Sequence, residues 1–197
     1  MTFIKFCGMT RAEDVTAACE LGVDAVGFVL WPNSPRCVPR DRLATLIAAL
    51  PSTVLPVGVF VAPARDDVKW AREAGVRIAQ VYDGDAVGWD GEMWAARSLD
   101  SDLDGVPVEV TLVLDAHDPV HHGGTGRTID WARAAAVAAG RRVVLAGGLT
   151  PLNVAQAVRQ VRPFGVDVSS GIEDRPGVKN MQAMTAFVAA VREAEEQ

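Results

Sequence analysis

One stretch near the carboxyl end, residues 143–174, constrains the fold of this chain more than any other part of the sequence. It begins with a short apolar run that suits a strand buried on both faces, and the run ends at Gly147 and Gly148. A segment with apolar residues at helical spacing follows, and a second apolar run at residues 165–168 leads into a serine- and glycine-rich turn. The pattern predicts strand, glycine turn, helix, strand and a second glycine turn.

The two turns of this stretch are expected to lie side by side. Thr150 and Pro151 predict the start of the connecting helix, as N-cap and first helical residue. Parallel strands joined by a helix place both turns at the carboxyl end of one sheet. Adjacent turns that offer backbone N–H groups, with Ser169 and Ser170 in the second of them, suit a phosphate group. The alternative is that the glycines only allow tight turns.

Composition narrows the class of protein. The 197 residues predict one domain, residues 1–197, with a hydrophobic fraction of 49% that is enough for a substantial core. A net charge of -6 without a long basic cluster argues against nucleic acid or an anionic membrane as a partner. No apolar run approaches a membrane span, the amino terminus lacks a secretory signal, and the cysteines show no zinc-type pairing, so a cytoplasmic protein is expected.

Eight apolar segments have the length and character of buried strands. They cover residues 3–7, 24–31, 54–61, 78–82, 93–99, 108–114, 143–146 and 165–168. Helical segments separate most of them, and the first helix is expected to begin with a capping box at Thr10 and Glu13. Residues 83–107 leave no room for a full-length helix, so helices four and five are expected to be shortened or missing.

This alternation predicts an α/β fold, specifically a (β/α)8 TIM barrel. An open, doubly wound sheet uses the same alternation and stays the alternative, although no G-x-G-x-x-G follows the first strand. Barrels of this kind often bind phosphate at the loops after strands seven and eight. By this count those loops are the two glycine turns.

In such a barrel the strand ends converge on one site, which brings Cys7, Arg36 and Asp115 together. Cys7 is either a reactive thiol next to a helix start or a small buried apolar residue. Asp115 is either a polar cap on its strand or a site carboxyl whose pKa is raised by burial. Arg36 could hold a carboxylate in a bidentate fork or be solvated.

The loop after Asp115 contains His117, His121 and His122, which raises the question of a metal site. The H-x3-H spacing needs a helix to align the rings, and the proline and glycines around it are incompatible with one. A lid with glycine hinges at residues 123–126 is the favoured interpretation, and no metal site is predicted.

Several motifs together resemble the phosphoribosylanthranilate isomerase family, whose members are (β/α)8 barrels. They are IKFCGMT, DAVGFVLWPNSPR, VGVFV, LVLDA, GGTGRTIDW, AGGLTPLNV and VDVSSGIEDRPGVKN, in family order over nearly the whole chain. The resemblance implies the Amadori rearrangement of N-(5′-phosphoribosyl)anthranilate to 1-(2-carboxyphenylamino)-1-deoxyribulose 5-phosphate in tryptophan biosynthesis. It implies a small phosphorylated substrate, no cofactor, and a monomer or homodimer.

The resemblance also implies roles for individual residues. Asp115 would be the general acid that opens the ribose ring, Cys7 the general base that removes the C2 proton, and Arg36 the partner of the anthranilate carboxylate. The remaining substrate-binding residues would be Gln80, Gly147, Gly148, Asp167, Ser169 and Ser170, with the glycines and serines on the phosphate.

Two departures from the family pattern stand out. Where the family usually reads Q-L-H-G after strand four, this chain has Tyr82 in place of the histidine. The segment of residues 83–107 is also shorter than in the family, and its Trp89 and Trp94 could serve local packing or an oligomer contact.

Two other functions stay open from the sequence. The first is the histidine-pathway isomerase of a related aldose phosphate, or an enzyme with both substrates, but that family has an aspartate where this chain has Cys7. The second is a non-catalytic barrel that binds a phosphosugar and needs neither Cys7 nor Asp115.

Overall fold

The protein folds into a closed barrel of eight parallel strands, in a computed structural model that describes residues 1–116 and 129–196. The strands follow one another in chain order, and the eighth pairs with the first, for example Lys5 with Asp167. The strands are β1 (Phe3–Cys7), β2 (Ala25–Val29), β3 (Leu55–Val61), β4 (Ile78–Tyr82), β5 (Glu92–Arg97), β6 (Thr111–Leu114), β7 (Val143–Leu145) and β8 (Gly165–Val168). The closure confirms the predicted barrel and excludes the open sheet.

Six α-helices surround the barrel in the described part of the chain. They are α1 (Ala12–Glu20), α2 (Arg40–Ala48), α3 (Arg65–Glu73), α4 (Trp131–Ala138), α5 (Val154–Val161) and α6 (Met181–Glu195). A short hairpin of β9 (Glu173–Arg175) and β10 (Val178–Lys179) lies between β8 and α6. The fully described segments between β4 and β6 contain no helix, which confirms the expected loss. No helix among the described residues has the length and apolar character needed to cross a membrane.

Loops cover the barrel wall where the two helices are missing. Arg141 holds the loop between β5 and β6 in place, because its guanidinium donates hydrogen bonds to four backbone carbonyls of that loop. Ala86 and Val106 from the two loops are buried, so the wall has an apolar cover. The predicted strand at residues 108–114 is correspondingly shorter, since Val108 is 63% exposed in the loop.

Two predicted helix starts were wrong. Arg11 and not Thr10 precedes α1, and the Thr10 hydroxyl instead donates to the carbonyl of Gly177 at 2.6 Å. At α5 the first helical residue is Val154, and Thr150 accepts a hydrogen bond from Leu152 in the turn before the helix. The Thr10 hydroxyl thus bonds to distant backbone, which local sequence does not reveal. The Thr150 hydroxyl makes the local bond that a cap would make, but the helix begins only after the turn of residues 151–153.

The interior of the barrel is apolar at the amino-terminal ends of the strands. A cluster of small and aliphatic side chains surrounds Trp94, which is fully buried. Its indole N–H donates to Glu92 Oε1 at 2.8 Å, so the polar atom of the ring is satisfied. Trp94 therefore serves local packing. The opposite, carboxyl-terminal end of the same interior is polar.

Candidate active site

The carboxyl-terminal end of the barrel interior contains six buried or nearly buried polar side chains. Alternation along a strand places every second residue inside, so β1 contributes two of them and β4 another two, and one aspartate lies directly after β6 and another on β8. They are Lys5, Cys7, Gln80, Tyr82, Asp115 and Asp167. The barrel thus brings together residues that are up to 162 positions apart in the sequence.

Cys7 lies at the end of β1, next to the ammonium group of Lys5. Both side chains pass over the backbone of Gly27, where an added Cβ would lie 2.8 Å from the thiol sulfur and 3.1 Å from Lys5 Nζ. Burial raises the pKa of the Cys7 thiol, while the ammonium groups of Lys5 and Lys179 oppose that rise. The thiol is therefore protonated in the resting site, with cations placed to stabilise a thiolate.

Lys5 is buried together with its counterion. Its Nζ atom lies 2.7 Å from Asp167 Oδ2, and the lysine side chain is 0% exposed. Burial alone would lower the pKa of Lys5, but Asp167 and Cys7 outweigh it and raise that pKa, so Lys5 carries its charge throughout the neutral range. Its presence inside the apolar strand IKFC was a signal for the site that the sequence interpretation did not use.

Asp115 follows β6 and is held by two uncharged donors. The hydroxyl of Tyr82 donates to Oδ2 at 2.7 Å, and the backbone N–H of Ala116 donates to Oδ1 at 2.8 Å. Burial raises the pKa of this carboxyl to about 6, and the two hydrogen bonds limit the rise because they favour the anion. Asp115 can therefore gain and lose a proton close to neutral pH.

A second ionic network closes the site beside Cys7. Lys179 donates to the carbonyls of Cys7 and Ser169 at 2.6 and 3.1 Å and to Glu173 at 2.8 Å. Arg36 binds the same Glu173 through Nε and Nη2 at 3.0 and 2.7 Å. The pKa of Glu173 is lowered, because these two cations outweigh the effect of burial. Lys179 and Glu173 were not found from the sequence, since nothing local marks them as partners of Cys7.

Arg36 is consequently oriented before any ligand arrives. Its side chain passes over Gly8, where an added Cβ would lie 2.6 Å from Arg36 Cδ and 2.8 Å from Ser169 Oγ. Two of its nitrogens face Glu173, which leaves Nη1 outside that ion pair. The expected position of Arg36 next to the site agrees with this geometry, and Glu173 is the residue that holds it there.

The two glycine turns are in contact. Gly147 and Gly148 both have left-handed backbone, with φ angles of +77° and +65°. Gly171 approaches the first turn so closely that an added Cβ would lie 1.9 Å from the carbonyl oxygen of Leu149. Only glycine allows this approach, and it places Ser169 and Ser170 beside the turn that follows β7. The predicted adjacency of the two turns is present.

The sequence of this chain matches one family of enzymes over most of its length. A sequence model described as "N-(5'phosphoribosyl)anthranilate (PRA) isomerase" matches residues 4–190 of this chain. The chain belongs to this family. The isomerase of Chromohalobacter salexigens is 39% identical over 96% of this chain and 94% of its own length. The isomerase of Geobacter sp. is 40% identical over 98% of both chains.

Solved structures of the phosphoribosylanthranilate isomerase family share the fold. The enzyme of Thermus thermophilus superimposes with a TM-score of 0.87 at 33% identity, over 98% of this chain and 99% of its own. That of Thermotoga maritima gives a TM-score of 0.88 at 30% identity, over 98% and 100%. Another solved structure of a phosphoribosylanthranilate isomerase, at 29% identity and a TM-score of 0.85 over the same shares, contains reduced 1-(o-carboxyphenylamino)-1-deoxyribulose 5-phosphate.

Two polar groups in the site have no partner among the described residues. They are the side-chain amide of Gln80, whose residue is 1% exposed, and the Oδ1 atom of Asp167. Buried polar atoms are usually satisfied, so these are available for a ligand. The histidines and the glycines of the expected lid, His117, His121, His122 and residues 123–126, lie outside the described residues.

Proposed function

We propose that this chain catalyses the Amadori rearrangement of N-(5′-phosphoribosyl)anthranilate in tryptophan biosynthesis, with Asp115 as general acid and Cys7 as general base. One observation carries the proposal: a member of this isomerase family has a buried thiol and a buried carboxyl of raised pKa at the same end of one barrel. General acid–base catalysis needs such a pair and no cofactor.

The first step uses the acid. Protonated Asp115 donates its proton to the ribose ring oxygen, the bond between that oxygen and C1 breaks, and the anthranilate nitrogen supplies the electron pair that forms the protonated Schiff base. Burial supports this role because it favours the neutral carboxylic acid. Tyr82 and Ala116 keep the carboxyl plane fixed while each oxygen retains a further lone pair for the catalytic proton.

The second step uses the base. The Cys7 thiolate removes the proton from C2 and becomes a thiol, the C–H electron pair forms the C1–C2 double bond, and the C=N electron pair returns to nitrogen to give an enolamine. The enolamine tautomerises to the ketone as C1 gains a proton and the C2 hydroxyl loses one. The ammonium group of Lys5 next to the sulfur favours the thiolate that this step requires. The carbonyl of Cys7 is fixed by Lys179, which holds the end of β1 in position.

The protonation states of the pair have a kinetic consequence. The active form needs a proton on Asp115 and none on Cys7, although the carboxyl has the lower pKa of the two. At pH 7 the free Asp115 is ionised by about ten to one. Between the two pKa values the fraction of the active form is constant, and below about pH 6 it falls because the thiolate is lost.

The remaining residues bind substrate. The phosphate would lie against Gly147, Gly148, Ser169 and Ser170, far from the reacting carbons, and would supply binding energy for orientation. Arg36 would meet the anthranilate carboxylate with the nitrogen that Glu173 does not use. Gln80 and Asp167 offer polar atoms that a substrate hydroxyl could satisfy.

The most direct experiment is a fluorescence assay for consumption of phosphoribosylanthranilate by the purified protein. Cys7→Ala and Asp115→Asn are each expected to reduce kcat by at least about 100-fold while the protein stays folded, since each removes one proton-transfer group. Cys19→Ala and Asp104→Asn make the same chemical changes away from the site and are expected to keep wild-type kcat.

Three outcomes would contradict the proposal. Absence of turnover by the wild-type protein would favour a barrel that only binds a phosphosugar. Unchanged kcat in Cys7→Ala or Asp115→Asn would remove the role assigned to that residue. Turnover of the histidine-pathway substrate at a comparable rate would overturn the assignment of a single anthranilate substrate.

The setting of the enzyme follows from the same identification. We infer a cytoplasmic enzyme, because phosphorylated biosynthetic intermediates are made and used there. A monomer or a homodimer both fit the chain. One structure of the Thermotoga maritima relative describes monomers generated from a dimeric isomerase, which supports testing for a dimer by light scattering.

A further inference from the structure

Tyr82 is the only tyrosine of the chain, and it occupies a position at the end of β4 where the resemblance leads one to expect histidine. Its hydroxyl donates to Asp115 Oδ2 at 2.7 Å. The resemblance implied a substrate contact for a histidine at this position. The structure instead has a phenol hydroxyl that donates to the candidate general acid.

The barrel gives Tyr82 a specific path to Asp115. Tyr82 pairs with Ala96 on β5, and Ala96 pairs with Val113 on β6, two residues before Asp115. The phenol ring must therefore reach across β5 to the next strand. The small side chain of Ala96 leaves room for it, and Tyr82 packs against the inner cluster that contains Ala96.

The groups that face this pair come from three other strands. Among the described residues, the charged or titratable groups that act on it are Lys5 and Cys7 from β1 and Asp167 from β8. On β5, between the two residues, Arg97 donates to the carbonyls of Val81 and Ala96. Burial and the neighbouring Asp115 raise the pKa of Tyr82 well above its ordinary value, so its hydroxyl stays a donor at every working pH.

We propose that Tyr82 is a positioning residue for the general acid: its hydroxyl fixes the Asp115 carboxyl in the plane from which the proton is delivered. The inference rests on the proposed function and deepens it. With the Ala116 N–H on the other oxygen, the carboxyl is held from both sides and cannot rotate. Tyr82 touches Asp115 and acts through it, without a proton transfer of its own.

Tyr82→Phe removes the donor and keeps the ring. We expect kcat/KM to fall about tenfold, since the carboxyl is then free to rotate. Loss of a donor to the carboxylate also destabilises the anion, so the acidic limb of the pH profile of kcat/KM moves upward by about one pH unit. Tyr82→His restores a ring donor and is expected to recover part of the rate.

Trp89→Phe is the matched control. It removes an aromatic N–H that donates to the carbonyl of Glu92 at 3.0 Å, in the segment directly after β4 but at the opposite end of the barrel. In Trp89→Phe the acidic limb of the pH profile of kcat/KM is expected to stay at the wild-type pH. A purely structural role of Tyr82 would lower the rate without moving the limb, so an unmoved limb in Tyr82→Phe overturns the inference.

A second measurement requires no substitution of Tyr82. Biosynthetic labelling with 3-fluorotyrosine marks Tyr82 alone, and its fluorine NMR shift is expected to follow the titration of Asp115 near pH 6. This pH-dependent change of the fluorine shift should vanish in Asp115→Asn. A fluorine shift in the labelled wild-type protein that does not change with pH would contradict the contact between Tyr82 and Asp115.

The two proposals fail in different ways. If Asp115→Asn keeps its activity, the assigned acid is wrong whatever Tyr82 does. If Asp115→Asn is inactive while Tyr82→Phe retains both the rate and the limb of the wild type, only the positioning role is wrong.

Discussion

The two sides of the site use different chemistry to hold their reactive groups. On the side of β1 and β8, Cys7 lies among full charges, with Lys5 on Asp167 and Lys179 on Glu173. On the side of β4 and β6, Asp115 accepts hydrogen bonds only from uncharged donors among the described residues. The base side is ionic and the acid side is neutral.

This difference matches what each group has to do. A thiolate is an anion in a buried place, and ammonium groups nearby are the usual way to stabilise one. A general acid must hold its proton, and burial without a cation in contact favours that state. The barrel thus surrounds Cys7 with charged groups and Asp115 with uncharged donors within one cavity.

The largest expected effect on stability comes from breaking the ionic side with Lys5→Met. The substitution leaves Asp167 buried without its counterion, so the free energy of unfolding should fall by about 3–5 kcal/mol. The thiolate loses its nearest cation as well, and kcat should fall more than about tenfold. Denaturant unfolding and the isomerase assay measure the two effects.

Lys69→Met is the control for this change. Lys69 forms an exposed ion pair with Glu73 at 3.9 Å, and such pairs contribute little to stability. Equal unfolding free energies for the two variants would mean that the Lys5 pair does not organise the ionic side.

A smaller effect is expected on the neutral side from Gln80→Leu. The Gln80 amide has no partner among the described residues, so replacing it with an apolar side chain of similar size should change the unfolding free energy by less than about 1 kcal/mol. If the amide binds substrate, KM should rise about tenfold with a smaller change in kcat.

The matched control is Gln156→Leu, the same change on the exposed face of α5. An unchanged KM in Gln80→Leu would remove Gln80 from the substrate contacts. A fall of several kcal/mol in the unfolding free energy of Gln80→Leu would show instead that the Gln80 amide is hydrogen-bonded within the folded protein.

The fold was predictable because its signals are local. Each buried strand is a short apolar run, and the order of runs and helical segments fixes a barrel. The absence of two helices could also be read from the short segment before residue 108. The helix start at Thr10 could not, because the Thr10 hydroxyl bonds to the carbonyl of Gly177, a partner that only the tertiary structure supplies.

The site was predictable in its positions but not in its partners. Cys7 and Asp115 end predicted strands, so their convergence followed from the barrel alone. The contacts of Lys5 with Asp167 and of Tyr82 with Asp115 join residues 162 and 33 positions apart. Which side chains meet across a barrel depends on its strand register, and the sequence pattern does not specify that register.

The pH dependence of kcat/KM tests the central claim most directly, since it reports the free enzyme's acid and base. The wild-type profile should have an acidic limb near pH 6, set by Asp115, and an alkaline limb above the ordinary range of a thiol, set by Cys7. In Asp115→Asn the break near pH 6 should disappear, and the residual activity should rise with pH up to the pKa of the Cys7 thiol, because the rate then follows the thiolate fraction alone. An acidic limb that persists at the same pH in Asp115→Asn would contradict the assignment of Asp115 as the general acid.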